Sequence, residues 1–201
     1  MQKLLCDKFG SDSELIYIGL DRNRFYNDNK IYNDPPVIAF QDHSLPNKNV
    51  EGAIYTSEKL KKEYPSVKFR AFGVKKYHNL PDFIEFTENP SDEKLTNIYS
   101  TSDIFLFSSR HEGFGSPPSE AMACKCAIVA NKVAAIPEYS EHMKTAIHAD
   151  PDDKDGLYKG AKFLLDNPDK LKEISEAAYI HIREFMNWDN SIIHFEKFIS
   201  N

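Results

Sequence analysis

The chain has 201 residues, 41% of them hydrophobic and 28% charged, at a mean hydropathy of −0.54. That is enough for the core of one α/β domain, and no run nears the roughly 18 apolar residues of a membrane helix. The net charge of −6, with both signs interspersed, argues against a nucleic-acid or anionic-lipid surface and leaves room only for a local basic pocket.

In chain order, Leu15 to Ile18 reads as a short strand, and the polar stretch GLDRNRFYNDN after it suits a linker. Val37 to Phe40 is a strand of the fully buried type. Val50, Ile54, Ser57, Leu60 and Tyr64 recur at helical steps, and Pro65 ends that helix. Val67 to Phe72 and Phe83 to Phe86 are further strands. Ser91 caps a helix to about Tyr99, Ile104 to Phe107 is the next strand, a helix runs from Pro117 to Cys124, and Ala127 to Ala130 is again a strand. A short strand near Ala146 precedes a helix from about Asp153 to Leu165. A longer helix carries Leu171, Ile174, Ala178, Ile182 and Phe185, and a last one runs from Asp189 to Ile199. Such alternation predicts an α/β fold, a doubly wound, Rossmann-like parallel sheet that binds ligands at the carboxyl ends of its strands.

One of those ends is FSSRHEGFGSPPSEAMACKC, Phe107 to Cys126: a strand end, a loop with two glycines, and a helix that Ser116 caps and Pro117 opens. Free amides and the positive end of a helix dipole make such a turn an anion site. Because Pro117 and Pro118 have no N–H, the donors are the amides of Gly113, Phe114, Gly115 and Ser116, with Ser119 just inside the helix. Glu112 and Glu120 bracket the loop and face one small volume. Acids would repel a phosphate they touched, so they are expected to reach hydroxyls on the groups that flank it.

Two acids with seven residues between them, within EGFGSPPSEAMAC, resemble the signature of retaining glycosyltransferases of family 4, which have the GT-B fold; the resemblance runs from about Leu15 to the C-terminus. It implies that this is the C-terminal half, binding a UDP- or GDP-type nucleotide sugar for retaining, metal-independent transfer of a hexose-type sugar to a saccharide or lipid-linked acceptor in polysaccharide biosynthesis. Glu120 is similar to the acid that accepts hydrogen bonds from the ribose diol, and Glu112 to the acid that holds hydroxyls of the donor sugar. Lys48, in LPNKNVEG after the first sheet strand, matches the lysine that grips the diphosphate. The base is expected near Thr87 to Asn89, with Asn89 among the binding residues. No cofactor and no metal are implied.

By the same resemblance, residues 1–30 correspond to the end of an N-terminal domain and a linker. Residues 31–186 form the nucleotide-sugar-binding domain, and 187–201 a helix crossing back to that N-terminal domain, its apolar face either exposed or covered by residues 1–28. The expected partners are the donor, the acceptor and that domain, with no nucleic acid. The expected place is the cytoplasm, or the inner face of the membrane through the N-terminal domain.

The chain departs from the family at several points. The arginine expected beside Lys48 is replaced by Gln41, Asp42 and His43, so that diphosphate neutralisation is weaker or uses His43. Ala134-Ala135 stands for Gly-Gly, Lys125 for a helix-ending glycine in the left-handed conformation, and Glu88 for a glycine near the base. His111 adjoins Glu112 and is a further candidate contact to the donor sugar.

The acidic run Asp150 to Gly156 fails as a calcium loop: with Gly156 as the turn glycine, Pro151 falls at the first ligand position and Lys162 where a Glu is required, so the run reads as a helix cap. Cys6, Cys124 and Cys126 lack framework spacing, which fits a reducing compartment, and no second Cys or His cluster makes the CKC pair a metal site. A non-catalytic nucleotide-sugar-binding domain and a nucleotide-sugar epimerase of the same fold are the alternative readings.

Overall fold

The computed structural model describes residues 2–10 and 13–200; the parts of the readings above that fall on residues 1, 11, 12 and 201 lie outside them. Six parallel strands form one sheet in the order β3-β2-β1-β4-β5-β6: β1 is Val37–Gln41, β2 Lys68–Gly73, β3 Ile84–Glu88, β4 Ile104–Phe107, β5 Ala127–Asn131 and β6 Ile147–Ala149. The helices are α1 Gln2–Phe9, α2 Val50–Glu63, α3 Asp92–Ser100, α4 Ser116–Ala123, α5 Ile136–Tyr139, α6 Gly156–Asp166, α7 Pro168–Phe185 and α8 Trp188–Ile199. None of them is long and apolar enough to cross a membrane.

The period of two decides how this sheet is covered. Ile38, Phe40, Ile104, Leu106, Ala127 and Val129 face α2 and α6, while Ala39, Phe105, Phe107, Ile128 and Ala130 face the layer that includes α4 and α7. With both faces buried, each central strand is an unbroken apolar run, which is why the strands were legible without alternation. Strand order reverses between β1 and β4, so the loops after these two strands part and leave a crevice at their carboxyl ends.

Several expectations are corrected. Leu15 to Ile18 forms no strand, because that run lies against α7 and α8, which offer no ladder: Tyr17 packs on Phe185 at 4.7 Å between ring centroids, and Ser191 Oγ donates to the Tyr17 carbonyl. The supposed linker is partly core. Leu20 and Phe25 are buried, and Lys30 enters the interior with its ammonium donating to the carbonyls of Ser100 and Ser102. Phe83 precedes β3 rather than opening it, and α6 begins at Gly156, after turns in which Asp150 and Asp153 accept the amides of Asp152 and Asp155. Asp155 occupies the cap position, yet its carboxylate is taken by Tyr55 and Lys59 of α2 instead of capping. Helices α1 and α5 were not foreseen; Lys125 takes the left-handed conformation expected of it, φ 55°. Along α8, Trp188, Ile192, Ile193, Phe195, Phe198 and Ile199 are all about half exposed or more, so its apolar face is largely uncovered.

Candidate functional site

Loops after β1 and β4 meet at the crevice and are stitched to each other. The Arg110 amide donates to the Asn47 carbonyl (2.8 Å), Asn47 Nδ2 to the His111 carbonyl (2.8 Å), Ser108 Oγ to the Lys48 carbonyl (2.9 Å) and Asn49 Nδ2 to the Ser108 carbonyl (3.1 Å). Asn49 bends sharply enough to do this with φ 48°, a conformation that Asn tolerates better than most residues. The stitch brings Lys48 Nζ to 2.6 Å from Glu112 Oε1, with both side chains mostly buried. Two residues 64 apart in sequence, each expected at the donor, thus form one ion pair.

The glycine loop continues from that pair into α4. Ser116 is not the cap: it is the first helical residue, and Gly115 takes the cap position with φ 85°. A side chain there would meet Ile136 Cδ1 at 3.2 Å in a backbone conformation that already disfavours one, so glycine is required twice over. Tyr139, fully buried, donates its hydroxyl to the Gly115 carbonyl (2.8 Å), and its ring lies 5.2 Å from that of Phe114. Ser119 Oγ turns back to the Ser116 carbonyl (2.8 Å). Among the described residues no backbone carbonyl accepts from the amides of Gly113, Phe114, Gly115 or Ser116. These are donors in want of an acceptor at a helix N-terminus.

The two acids do not share a partner. Glu112 turns toward Lys48 and Glu120 toward α3, where Tyr99 donates to Glu120 Oε2 at 3.1 Å, so each is held by a different neighbour. Burial holds the Glu120 carboxyl above its ordinary range, against the Tyr99 hydrogen bond and the Arg24 charge. Tyr99 is itself pushed far up by burial, and so stays a donor. Asn89 follows the end of β3 with φ 41°, its amide donating to the Gly73 carbonyl (2.7 Å), and sits beyond β2, at the same strand ends.

Of the residues standing where an arginine was expected, Asp42 is buried and is spent on the loop after β2, accepting from the amides of Tyr77 and His78 and from His78 Nδ1 (2.6 Å). His43 Nδ1 accepts the Leu45 amide. His111 is exposed, and its carbonyl, not its ring, enters the stitch. Ala134 occupies left-handed backbone at φ 50°, so one of the two alanines sits where glycine would be unstrained. Cys124 and Cys126 are buried core residues, and burial pushes the Cys124 thiol up to about 12. Tyr99, Tyr139 and Asn47 went unread, since nothing in a lone Tyr or Asn separates a loop tie from an ordinary surface or core residue. Arg110, three residues from Phe107 and beside His111, carried a signal in its position.

The span that holds these residues matches a known family. Residues 21–181 match the family model described as glycosyl transferases group 1. The serotype-specific mannosyltransferase WbdA of Escherichia coli is 32% identical over 107 residues, which are 46% of this chain and 13% of that protein. Among solved structures, the C-terminal domain of the glycosyl transferase group 1 family protein LpcC from Francisella tularensis has a TM-score of 0.70 at 22% identity, covering 82% of this chain and 96% of that one. Anabaena HepE in complex with UDP-glucose has a TM-score of 0.78 at 16% identity, covering 93% of this chain and 57% of that one. The chain thus spans little more than half of HepE and a small part of WbdA.

Proposed function

Because the chain belongs to the glycosyl transferases group 1 family, with the fold of a GT-B C-terminal domain, we propose that it is the donor-binding half of a retaining hexosyltransferase that uses a nucleoside diphosphate sugar. The observation that carries this reading is the row of unpaired amides from Gly113 to Ser116 flanked by Lys48–Glu112 on one side and Glu120 on the other. A mannosyltransferase among the relatives and a neighbour holding UDP-glucose support a hexose on a UDP- or GDP-type carrier.

As the bond from the anomeric carbon to the diphosphate breaks, its electron pair passes to the bridging oxygen. Lys48 and the loop amides supply positive potential to that oxygen without calling on a metal. Glu112 aligns sugar hydroxyls and faces the cationic carbon, and Glu120 accepts from the ribose diol. Asn89 and its neighbours take the base. In front-face transfer the acceptor hydroxyl adds on the side the diphosphate leaves, and its proton goes to that leaving group, so Glu112 need not form a covalent bond. The saccharide or lipid-linked acceptor needs a facing wall. The uncovered apolar side of α8 supports contact with an acceptor-binding domain there. Unpaired Cys6, Cys124 and Cys126 support a cytoplasmic setting.

Two measurements test the reading. Lys48→Ala should weaken a nucleoside diphosphate by about tenfold and leave the free nucleoside unaffected, as expected for loss of one charge-assisted contact. Titration calorimetry with both ligands, at low and high salt, decides; equal losses for the two would take Lys48 away from the phosphates. The 201-residue chain should bind UDP or GDP yet transfer sugar far more slowly than a two-domain enzyme, since positioning and water exclusion each need the facing wall. Rapid turnover by this chain, or no binding of either nucleotide, would overturn that expectation; the second result favours a non-catalytic domain.

A further inference from the structure

Lys48 and Glu112, the one proposed for the diphosphate and the other for the sugar, are bound to each other. Lys48 Nζ lies 2.6 Å from Glu112 Oε1, and with the two side chains only 20% and 11% exposed, water and salt screen the pair little. The pair is not what joins the two loops. That is done by the Arg110 amide on the Asn47 carbonyl, Asn47 Nδ2 on the His111 carbonyl, Ser108 Oγ on the Lys48 carbonyl and Asn49 Nδ2 on the Ser108 carbonyl. These bonds fix the carbonyls of Lys48 and His111, so the two charges separate by side-chain rotation and not by a parting of the loops. An ion pair that the local fold does not need sits where both of its members are needed by a ligand.

The amides of Gly113 to Ser116 follow Glu112 directly in the chain. A diphosphate resting on them and on Lys48 therefore shares its lysine with the Glu112 carboxylate, and two anions gathered on one ammonium repel each other. The conflict ends only when the carboxylate finds other donors. Hydroxyls of a sugar are such donors and carry no charge, whereas the nucleoside diphosphate left after transfer has lost them. We propose that the Lys48–Glu112 pair makes the site selective for an intact donor: Glu112 competes with the diphosphate for Lys48 until the hydroxyls of an attached sugar take the carboxylate. The lysine then turns its full charge on the diphosphate. A spent nucleoside diphosphate restores the competition and is held less well, which favours its release. The inference rests on the reading of this loop as the donor site, and adds to it an energetic link between the residue on the phosphates and the residue on the sugar.

The test is a double-mutant cycle on the full chain, with Glu112→Gln, Lys48→Ala and both changes together, none of which removes a hydrogen bond of the stitched loops. Calorimetry with UDP, GDP, UDP-glucose and GDP-mannose supplies the affinities. With Lys48 present, Glu112→Gln should raise the affinity for UDP or GDP roughly two- to fivefold, the worth of a modest ion pair that no longer competes for the lysine. With Lys48 replaced by alanine the same change should gain clearly less, because only relief of repulsion remains. Glu112→Gln should also narrow the preference for the nucleotide sugar over its nucleoside diphosphate. Equal gains with and without Lys48 overturn the inference, since the carboxylate then repels the phosphates without holding the lysine, and so does a diphosphate affinity that stays level or falls in Glu112→Gln. An unchanged preference for the nucleotide sugar overturns the link to the sugar. Wild-type protein that binds none of the four ligands overturns the donor-site reading and the inference with it, whereas binding with equal gains overturns the inference alone.

Discussion

Asp103→Ala should destabilise the fold by about 3 to 5 kcal/mol, the usual result of leaving one member of a buried ion pair without its partner. Asp103 sits at the head of β4 with its side chain 2% exposed, and Lys30, 1% exposed, approaches to 3.9 Å. The carboxylate also accepts from the amide of Val37 (2.8 Å), the amide of Asn33 (3.1 Å) and Asn33 Nδ2 (2.9 Å), so it ties the start of β1 and the N-terminal arm to the centre of the sheet. Removing it leaves the Lys30 charge without its counter-ion, held only by the carbonyls of Ser100 and Ser102, and leaves the buried Val37 amide without its acceptor. At this chain length the loss corresponds to a fall in Tm of roughly 6 to 20 °C. Urea and thermal unfolding followed by circular dichroism measure it, with Asp103→Asn as the variant that keeps acceptor atoms. A loss below about 1 kcal/mol would mean that Lys30 escapes to solvent when its partner goes.

Glu120→Ala is expected to cost nucleotide binding tenfold or more. Two charge-assisted bonds to a diol are each worth roughly 1.5 to 3 kcal/mol, and one alone accounts for about that factor. Tyr99→Phe separates the ligand role from the packing role, because it removes the intramolecular donor and leaves the carboxylate; it should keep most of the affinity. The pH dependence has a definite sign. Burial raises the Glu120 pKa in the folded state, so over the window between its unfolded and folded values the native protein holds a proton that the unfolded chain has lost, and stability falls as pH rises through that window. Binding runs the other way and improves as the carboxylate forms. Glu120→Gln should therefore be at least as stable as the wild type at neutral pH while binding nucleotide less well. A stable Glu120→Gln with unchanged affinity for UDP and GDP would remove Glu120 from the ligand.

How much was readable follows from what each feature depends on. The strands β1, β4 and β5 and the helices α2, α3 and α7 announce themselves through local pattern, because apolar spacing and a cap such as Ser91, which accepts the Lys94 amide, are properties of neighbouring residues. Glu112, Glu120 and the glycines between them were legible for the same reason: they lie within one turn and one helix start. Lys48 could be placed after its strand, but not against Glu112, since that contact crosses 64 residues and exists only because β1 and β4 are neighbours at the switch point.

What the sequence determined by itself was therefore the class of fold, the strand end at which a ligand would sit, and the residue types gathered there. Tertiary structure alone decided the rest. It gave the two acids different partners, Lys48 and Tyr99; it made Gly115 the cap in place of Ser116; and it drew Leu20, Phe25 and Lys30 out of an apparent linker into the interior. The physical reason is the same in each case. Local pattern reports which surface of an element is apolar, whereas the partner of a buried charge or an unpaired amide is chosen by desolvation, which acts on whatever distant groups the packed sheet brings within hydrogen-bonding reach.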